Sequence, residues 1–263
     1  MPDAYSESDA HDDIARLVLA SRRILFITGA GISADSGLPT YRGVGGLYEE
    51  TLTSEGWTIE EALSGAMMAS RPEITWKYLL QIARTCSGAV PNTAHRVIAA
   101  LEAALPEVLV YTQNVDGLHA AAGSRNLIEI HGALRDLRCT HCRFGTTVGN
   151  YADLPIPPLC PRCFAPLRPA VVLFGEALPE AAVARLEDEL ARGFDLVFSI
   201  GTSGLFPYIV EPVVLARRAG VPCIEINPDE TPLSGIVDIA LRERAAPAMG
   251  ALWSALQTRL QQM

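Results

Sequence analysis

The stretch that decides the fold is residues 24–43, ILFITGAGISADSGLPTYRG. Its first four residues are apolar, as is typical of a buried strand in a parallel sheet. Gly29, Gly31 and Ala34 then fit the pattern G-x-G-x-x-G/A, in which glycines let the backbone turn tightly and approach a ligand. Because the N–H groups at a helix start favour anions, this arrangement predicts a site for the pyrophosphate of a dinucleotide. A tight turn without a ligand is the alternative that so short a pattern leaves open.

Segments typical of strands and helices alternate along the rest of the chain. Strands are predicted at 108–112, 127–130, 194–200, 221–226 and 236–240, and helices at 13–23, 58–86 (with a break at Arg71-Pro72), 92–104, 178–191, 211–219 and 246–262. This alternation predicts an α/β fold with a Rossmann-like, doubly wound parallel sheet. We predict a Rossmann-like domain formed by 13–43, 86–135 and 170–263, a small domain formed by a helical insertion at 44–85 and a zinc-ribbon-like insertion at 136–169, and an acidic N-terminal lead at 1–12.

The residues after the glycine turn differ from those of an ordinary dinucleotide fold. Residues 43–57 have loop composition, where such a fold has its second strand and a ribose-binding acid about 20 residues after the glycines. Glu49 and Glu50 have that spacing but no strand before them, so we do not assign them to a ribose. The missing strand disfavours a hydride-transferring dehydrogenase.

The chain carries a net charge of −9, with 30 acids and 21 bases. Because five of these acids lie in the first thirteen residues, the body is only mildly acidic. This balance argues against nucleic acid as a partner, since nonspecific binding needs basic faces, and a mild acidic field favours a basic peptide. No apolar run approaches the ~20 residues that span a bilayer, and no signal peptide is apparent, so we expect a cytoplasmic protein without a membrane partner. The sequence does not predict an oligomeric state.

Four of the six cysteines have the spacing of a metal site. Cys139, Cys142, Cys160 and Cys163 form the pattern C-x₂-C-x₁₇-C-x₂-C, which lies within the range of zinc sites. Four thiolates leave no open position for water, so we predict one structural Zn²⁺. Two disulfides or four free thiols are the alternatives, and a reducing compartment disfavours the disulfides.

Polar residues follow several of the predicted strands. Gln113-Asn114-Val115-Asp116 follows one strand, His131 another, Gly201-Thr202-Ser203 a third, and Asn227 a fourth. Ligands of open α/β sheets gather at the carboxyl ends of strands, so these residues are well placed for a site with the glycine turn. An imidazole titrates near neutral pH, so His131 is a candidate general base. A histidine satisfied within the core is the alternative.

Together these motifs resemble those of the sirtuin family, the NAD-dependent protein-lysine deacylases. The matching stretches, in the family's order, are GAGISADSGLPTYRG at 29–43, TQNVDGLH at 112–119, EIHGALRDLRC at 129–139, the two C-x₂-C pairs, LRPAVVLFGE at 167–176, GTS at 201–203 and EIN at 225–227. The resemblance implies NAD as co-substrate, a structural Zn²⁺ and acylated lysines of proteins as partners. It also implies that nicotinamide is released and that the acyl group is transferred to ADP-ribose.

The resemblance further implies roles for individual residues. The pyrophosphate and nicotinamide ribose would be held by Gly29, Ala30, Gly31, Ser33 and Arg42. The ribose and nicotinamide pocket would be lined by Gln113, Asn114 and Asp116, with His131 as the base acting on a ribose hydroxyl and Asn114 as its catalytic neighbour. The adenosine half would be bound by Gly201, Thr202, Ser203, Asn227 and Ala245. The acyl-lysine peptide would lie along Val172, Phe174, Gly175 and Glu176.

One departure from the family concerns the acyl group. Some bacterial sirtuins carry a Tyr-x-x-Arg pair on a small-domain helix and prefer acidic acyl groups. Here the corresponding helix, residues 76–84, is apolar where such a fork would be needed, so we expect an acetyl or longer apolar acyl group. Two other functions use the same NAD site: ADP-ribosyl transfer to a protein, and binding of NAD or ADP-ribose without catalysis.

Overall fold

A computed structural model describes residues 7–40, 52–152 and 154–262 of the chain. Its main sheet has six parallel strands in the order β3-β2-β1-β7-β8-β9. The strands are β1 Arg23–Thr28, β2 Glu107–Thr112, β3 Leu127–Glu129, β7 Leu196–Ile200, β8 Cys223–Ile226 and β9 Ile239–Leu241. Strand order reverses between β1 and β7, which is where doubly wound sheets bind their ligands. The predicted Rossmann-like sheet is thereby confirmed.

Helices cover both faces of this sheet. Their bounds are α1 Glu7–Ala20, α5 Thr93–Ala104, α6 Leu118–Ala122, α7 Glu180–Arg192, α8 Pro207–Arg218 and α9 Ala245–Gln262. On one face, α1, α5 and α9 pack against Phe26 and Phe198, whose rings stack with centroids 4.7 Å apart. On the other face, α7 and α8 cover Leu25 and Ile27. Successive strand residues point to opposite faces, so β1 is buried on both sides.

A second, smaller module joins the two insertions. It contains the helices α2 Ile59–Ala62, α3 Gly65–Ser70 and α4 Pro72–Cys86, and an antiparallel sheet of β4 Gly132–Cys139, β5 Gly145–Thr147 and β6 Leu167–Val171 in the order β5-β4-β6. Trp76 of α4 is fully buried and donates from Nε1 to the carbonyl of Leu167, 2.8 Å away. Helices and small sheet share one apolar cluster. The small sheet extends beyond the predicted insertion of 136–169 at both ends, and the predicted domain boundaries stay a prediction.

The largest differences between predicted and observed helices lie at the start of α1, before α3 and at the start of α8. The first helix begins at Glu7 rather than at residue 13, because Ala10 is buried and Asp12 forms an ion pair with Arg259 of α9. Residues 7–12 of the predicted acidic lead are therefore helical. The helical insertion breaks at Arg71-Pro72 as predicted and also before α3, whose N-cap Ser64 accepts a hydrogen bond from Met67 N–H at 3.0 Å.

Helix α8 begins at Pro207 rather than at residue 211. Proline is favoured in the first turn of a helix, since its missing N–H would have no partner there. None of the described helices is both long enough and apolar enough to span a membrane.

Candidate functional site

The glycine turn after β1 packs directly against the turn after β7. Gly31 N–H donates to the carbonyl of Gly201 at 2.8 Å, and Gly29 N–H donates to that of Ile200 at 3.1 Å. A Cβ on Gly31 would lie 2.6 Å from the Gly201 Cα, so neither turn could stay in place beside a side chain there. Gly201 has a φ of +60°, a conformation that glycine adopts without strain. The chain after Gly29 forms a 3₁₀ helix, Ala30–Ser36, in place of an α-helix.

A polar network ties this turn to the end of β2. Asn114 Nδ2 donates to the carbonyl of Gly29 at 3.0 Å and to Ser33 Oγ at 3.2 Å. Ser33 Oγ donates to Asp116 Oδ2 at 2.7 Å. Burial raises the pKa of Asp116, and the hydrogen bonds from Leu118 N–H and Ser33 partly offset this. Ser33 from the glycine motif thus forms one connected group with Asn114 and Asp116 from the motif after β2.

Polar residues after β7 and β8 form a second group beside the first. Gln113 Nε2 donates to Thr202 Oγ1 at 2.9 Å, and Asn227 Nδ2 donates to the Thr202 carbonyl, also at 2.9 Å. Ser203 is exposed next to them. Ala245 is buried in the core at the first residue of α9, and its predicted role toward the adenosine half stays a prediction. Arg42 and residues 41–48 of the sequence lie outside the described residues.

His131 lies between the end of β2 and the start of α8. Its Nδ1 is 3.0 Å from the carbonyl of Gln113, and its Nε2 is 2.8 Å from the hydroxyl of Tyr208. A carbonyl only accepts, so Nδ1 carries the proton and the lone pair of Nε2 accepts from Tyr208. Burial lowers the pKa of His131, and the Gln113 carbonyl partly offsets this. The neutral form that a general base needs is therefore the favoured one at neutral pH.

Tyr208 is the site residue that sequence reasoning missed. It lies in the first turn of α8, four residues after Gly204, and Phe206 stacks on its ring with centroids 5.4 Å apart. Only the rule that proline favours a helix start could have placed it, since Pro207 then puts Tyr208 in the first turn after β7.

Two further histidines lie beneath the site. His119 Nε2 is 2.9 Å from Thr28 Oγ1, and its ring meets that of His95 edge to face with centroids 4.8 Å apart. Burial lowers the pKa of His119 to about 3 and that of His95 to about 4, with smaller effects from His95 and Arg96 respectively. Both are thus neutral packing residues.

The predicted peptide segment links His131 to the small module. Val172 N–H donates to the carbonyl of His131 at 2.9 Å, and the backbone of Phe174 pairs with Leu63 and Gly65 at 3.0 and 3.1 Å. These bonds hold Val172 and Phe174 beside His131, and the exposed Gly175 follows in a turn with a φ of +77°.

The side chain of Glu176 is bound by groups of the protein itself. Its carboxylate is held by Arg168 Nη1 at 2.5 Å and Nη2 at 2.9 Å, and by Leu173 N–H at 2.9 Å. Burial raises the pKa of Glu176, but the Arg168 guanidinium outweighs it and the pKa is lowered. Glu176 therefore fixes the turn around Gly175, and its predicted place along the peptide stays a prediction.

The four predicted metal ligands converge at one point of the small module. All four Sγ atoms lie within 4.8 Å of one another, with Cys139 and Cys163 at 3.4 Å and Cys142 and Cys160 at 3.6 Å. A tetrahedron with zinc–sulfur bonds of 2.3 Å has edges of about 3.8 Å. Burial raises the pKa of Cys139, but N–H donors of Cys142 and His141 outweigh it and lower this pKa to about 6. The site fits a structural Zn²⁺ bound by four thiolates.

Fold and site together define a class of protein: a doubly wound nucleotide-binding enzyme fold with a tetrathiolate zinc module. Comparison with known proteins identifies the family. The Sir2 family model matches residues 29–207, and the chain belongs to that family.

Two relatives of known name align with nearly the whole chain. The chain is 52% identical over 237 residues to NAD-dependent protein deacylase 2 of Pseudomonas syringae pv. tomato, covering 89% of this chain and 95% of the relative. It is 49% identical over 249 residues to NAD-dependent protein deacylase 2 of Pseudomonas aeruginosa, covering 92% and 96%. These identities confirm the predicted sirtuin resemblance.

Solved structures show the same fold with ligands. A Sir2 homologue in complex with NAD superposes with a TM-score of 0.85 at 37% identity, covering 95% of this chain and 94% of that one. A Sir2 structure with a p53 peptide and NAD⁺ superposes with a TM-score of 0.79 at 28% identity, covering 92% and 96%.

Proposed function

We propose that this chain is an NAD-dependent protein-lysine deacylase that releases nicotinamide and transfers the acyl group to ADP-ribose. One observation carries the proposal. Strand order reverses between β1 and β7, and there a glycine turn with no room for side chains is bound by Asn114. The neutral imidazole of His131 is bound by the carbonyl of Gln113, the residue before Asn114. Positioning groups and a base thus meet at one sheet edge.

The glycine turn would hold the pyrophosphate of NAD. Its short 3₁₀ helix starts at the carboxyl end of β1, and the close approach of Gly31 and Gly201, which a Cβ on either would prevent, fixes the shape of the turn. When bound, NAD supplies the bond between nicotinamide and ribose that is broken. Asn114 and Asp116 hold the turn through Ser33, so the site is organised before a ligand arrives.

His131 would act as the general base toward a ribose hydroxyl. Its Nδ1–H is fixed by the Gln113 carbonyl, which leaves Nε2 as the atom that takes a proton. Gln113 also bonds to Thr202, which in turn accepts from Asn227 through its carbonyl. We assign the adenosine half to this second group, with Ser203 exposed beside it.

The partner would be an acylated lysine in an extended peptide lying along residues 172–175. The backbone of Phe174 already pairs with residues 63–65 in an isolated parallel bridge, and a peptide would add backbone hydrogen bonds of the same kind. We assign an acetyl or longer apolar acyl group to the substrate. In α4, Trp76 and Leu79 are buried, and Lys77 is paired with the carboxylate of Glu55 at 2.5 Å, so it is already neutralised within the protein.

Mass spectrometry of the products from NAD and a panel of acyl-lysine peptides tests this function. We expect nicotinamide, deacylated peptide and O-acyl-ADP-ribose from acetyl and apolar acyl peptides. His131→Ala should lower the rate of product formation by about 10² to 10⁴, as loss of a general base does. His141→Ala, which removes an exposed imidazole on the zinc module, is the matched control and should keep the rate.

Three outcomes would contradict the proposal. ADP-ribosylated protein formed without acyl peptide would favour ADP-ribosyl transfer. A succinylated peptide processed faster than its acetylated counterpart would overturn the assigned acyl class. Full product formation by His131→Ala would show that the base is misassigned.

A further inference from the structure

Tyr208 makes a contact with His131 that the reaction described above does not use. Its hydroxyl lies 2.8 Å from Nε2, the one nitrogen of the ring that is free to take a proton. Because Nδ1 donates to the Gln113 carbonyl, Tyr208 must donate to Nε2 while the ring is neutral. The lone pair of the base is therefore occupied by a side chain of this same protein.

The surroundings hold Tyr208 in this place. Tyr111 donates from its buried ring to the backbone carbonyl of Tyr208 at 3.2 Å, which fixes the start of α8. Phe206 stacks on the Tyr208 ring at an interplanar angle of 15° and meets His131 edge to face at 6.4 Å. Two hydrogen bonds and two aromatic contacts thus set the plane of the imidazole.

We propose that Tyr208 is a positioning residue for His131: its hydroxyl donates to the neutral imidazole, accepts from the imidazolium, and so increases the proton affinity of the base. This inference rests on the proposed role of His131. A hydroxyl can reverse its direction by rotating about the C–O bond, which a backbone carbonyl cannot do. Because hydrogen bonds from charged donors are about twice as strong as neutral ones, the pair is stronger after His131 takes a proton.

In the part of the chain that the structure describes, no charged group beside His131 competes with the effect of the Tyr208 hydroxyl on its proton affinity. The groups that face His131 are Gln113 from the end of β2, Val172 after β6, and Phe206 and Tyr208 from the start of α8. Among them only Tyr208 titrates, and burial raises its pKa, so its hydroxyl stays protonated while His131 titrates. A change at Tyr208 should therefore be visible directly in the titration of His131.

The test is Tyr208→Phe in the zinc-loaded, full-length protein. The midpoint of His131 is measured by NMR in the ligand-free protein, where we expect a downward shift of about 0.5 to 1 pH unit. The acid limb of kcat/KM should move down by the same amount, because this limb reports the free enzyme. Tyr151→Phe is the matched control, since its hydroxyl bonds to the Leu134 carbonyl in the small module.

Each outcome decides the inference. A His131 midpoint within about 0.2 pH unit of the wild type in Tyr208→Phe, or an equal shift in Tyr151→Phe, would overturn it. The NMR titration needs no substrate. If the wild type shows no deacylation, the proposed function fails while the titration still tests Tyr208.

Discussion

The two histidines beneath the site make the stability of the protein depend on pH. His95 and His119 are 0% and 2% exposed, and burial lowers the pKa of each to about 4 and about 3. In the unfolded chain a histidine has a pKa of about 6.5. Below that pH the unfolded state binds protons that the folded state does not, so stability is present above pH ~6.5 and is lost as the pH falls toward the folded values.

The size of this loss follows from the difference in pKa. Between pH 7.5 and 5.5 each histidine lowers the free energy of unfolding by about 1.4 kcal/mol. Proton binding stabilises the unfolded state by this amount, which corresponds to about one pH unit, while the buried histidine stays neutral. The pair together should cost about 3 kcal/mol. This is a large part of the 5–15 kcal/mol that typically separates folded and unfolded domains.

Urea unfolding at the two pH values, followed by circular dichroism, measures the loss. The perturbation is the double variant His95→Gln and His119→Asn. Glutamine can replace the bond that His95 Nδ1 accepts from Asn92 N–H in the cap of α5, and asparagine keeps a polar partner for Thr28. Between pH 7.5 and 5.5, we expect the free energy of unfolding of the double variant to fall by about 3 kcal/mol less than that of the wild type.

Both proteins contain the zinc site, so its effect on stability cancels in the comparison. His141→Asn removes an exposed imidazole and should lose as much stability as the wild type. A double variant whose loss differs from that of the wild type by less than about 1 kcal/mol would refute the burial argument.

Three further substitutions test the site and its supports. Cys160→Ser should abolish zinc binding, measured as metal content, and lower the melting temperature, because three thiolates leave the tetrahedron open. Gly31→Ala should weaken NAD binding in calorimetry at least tenfold, since its Cβ would meet the Gly201 backbone at 2.6 Å. Arg168→Gln should lower the free energy of unfolding by about 3 kcal/mol, because Glu176 would lose its buried partner.

Each of these has a matched control. Cys223→Ala changes a buried cysteine of the main sheet and should keep the zinc content. Gly235→Ala should keep NAD affinity, because a Cβ there meets nothing within 4 Å. Arg71→Gln breaks an exposed ion pair with Glu73 and should cost less than about 0.5 kcal/mol. Equal effects in a variant and its control would contradict the assigned role.

Local patterns predicted the main sheet and much of the site. The apolar run at 24–27 is buried on both faces, and the polar residues after β1, β2 and β7 do meet at one edge. The four cysteines converge because short spacing fixes each pair and the small sheet brings the pairs together. Each of these features depends on short patterns of residues close together in sequence, for which predictions from patterns are strongest.

Several side-chain contacts could not be predicted from the sequence. Tyr208 meets His131 across 77 positions, and no local pattern marks such a pair. Arg168 in β6 binds the carboxylate of Glu176 eight positions later, and no motif marks that pair. The first helix begins early because Asp12 meets Arg259 near the other end of the chain. In each case tertiary packing decides what a side chain does.

The central claim is that the acyl group of a lysine is transferred to ADP-ribose at the site around His131. The most direct measurement follows a ¹³C-labelled acetyl group on a lysine peptide by mass spectrometry during reaction with NAD. We expect the label to appear in O-acetyl-ADP-ribose in step with nicotinamide release, and His131→Ala to suppress this product. Label that stays on the peptide while nicotinamide is released and ADP-ribose is added to protein would contradict it.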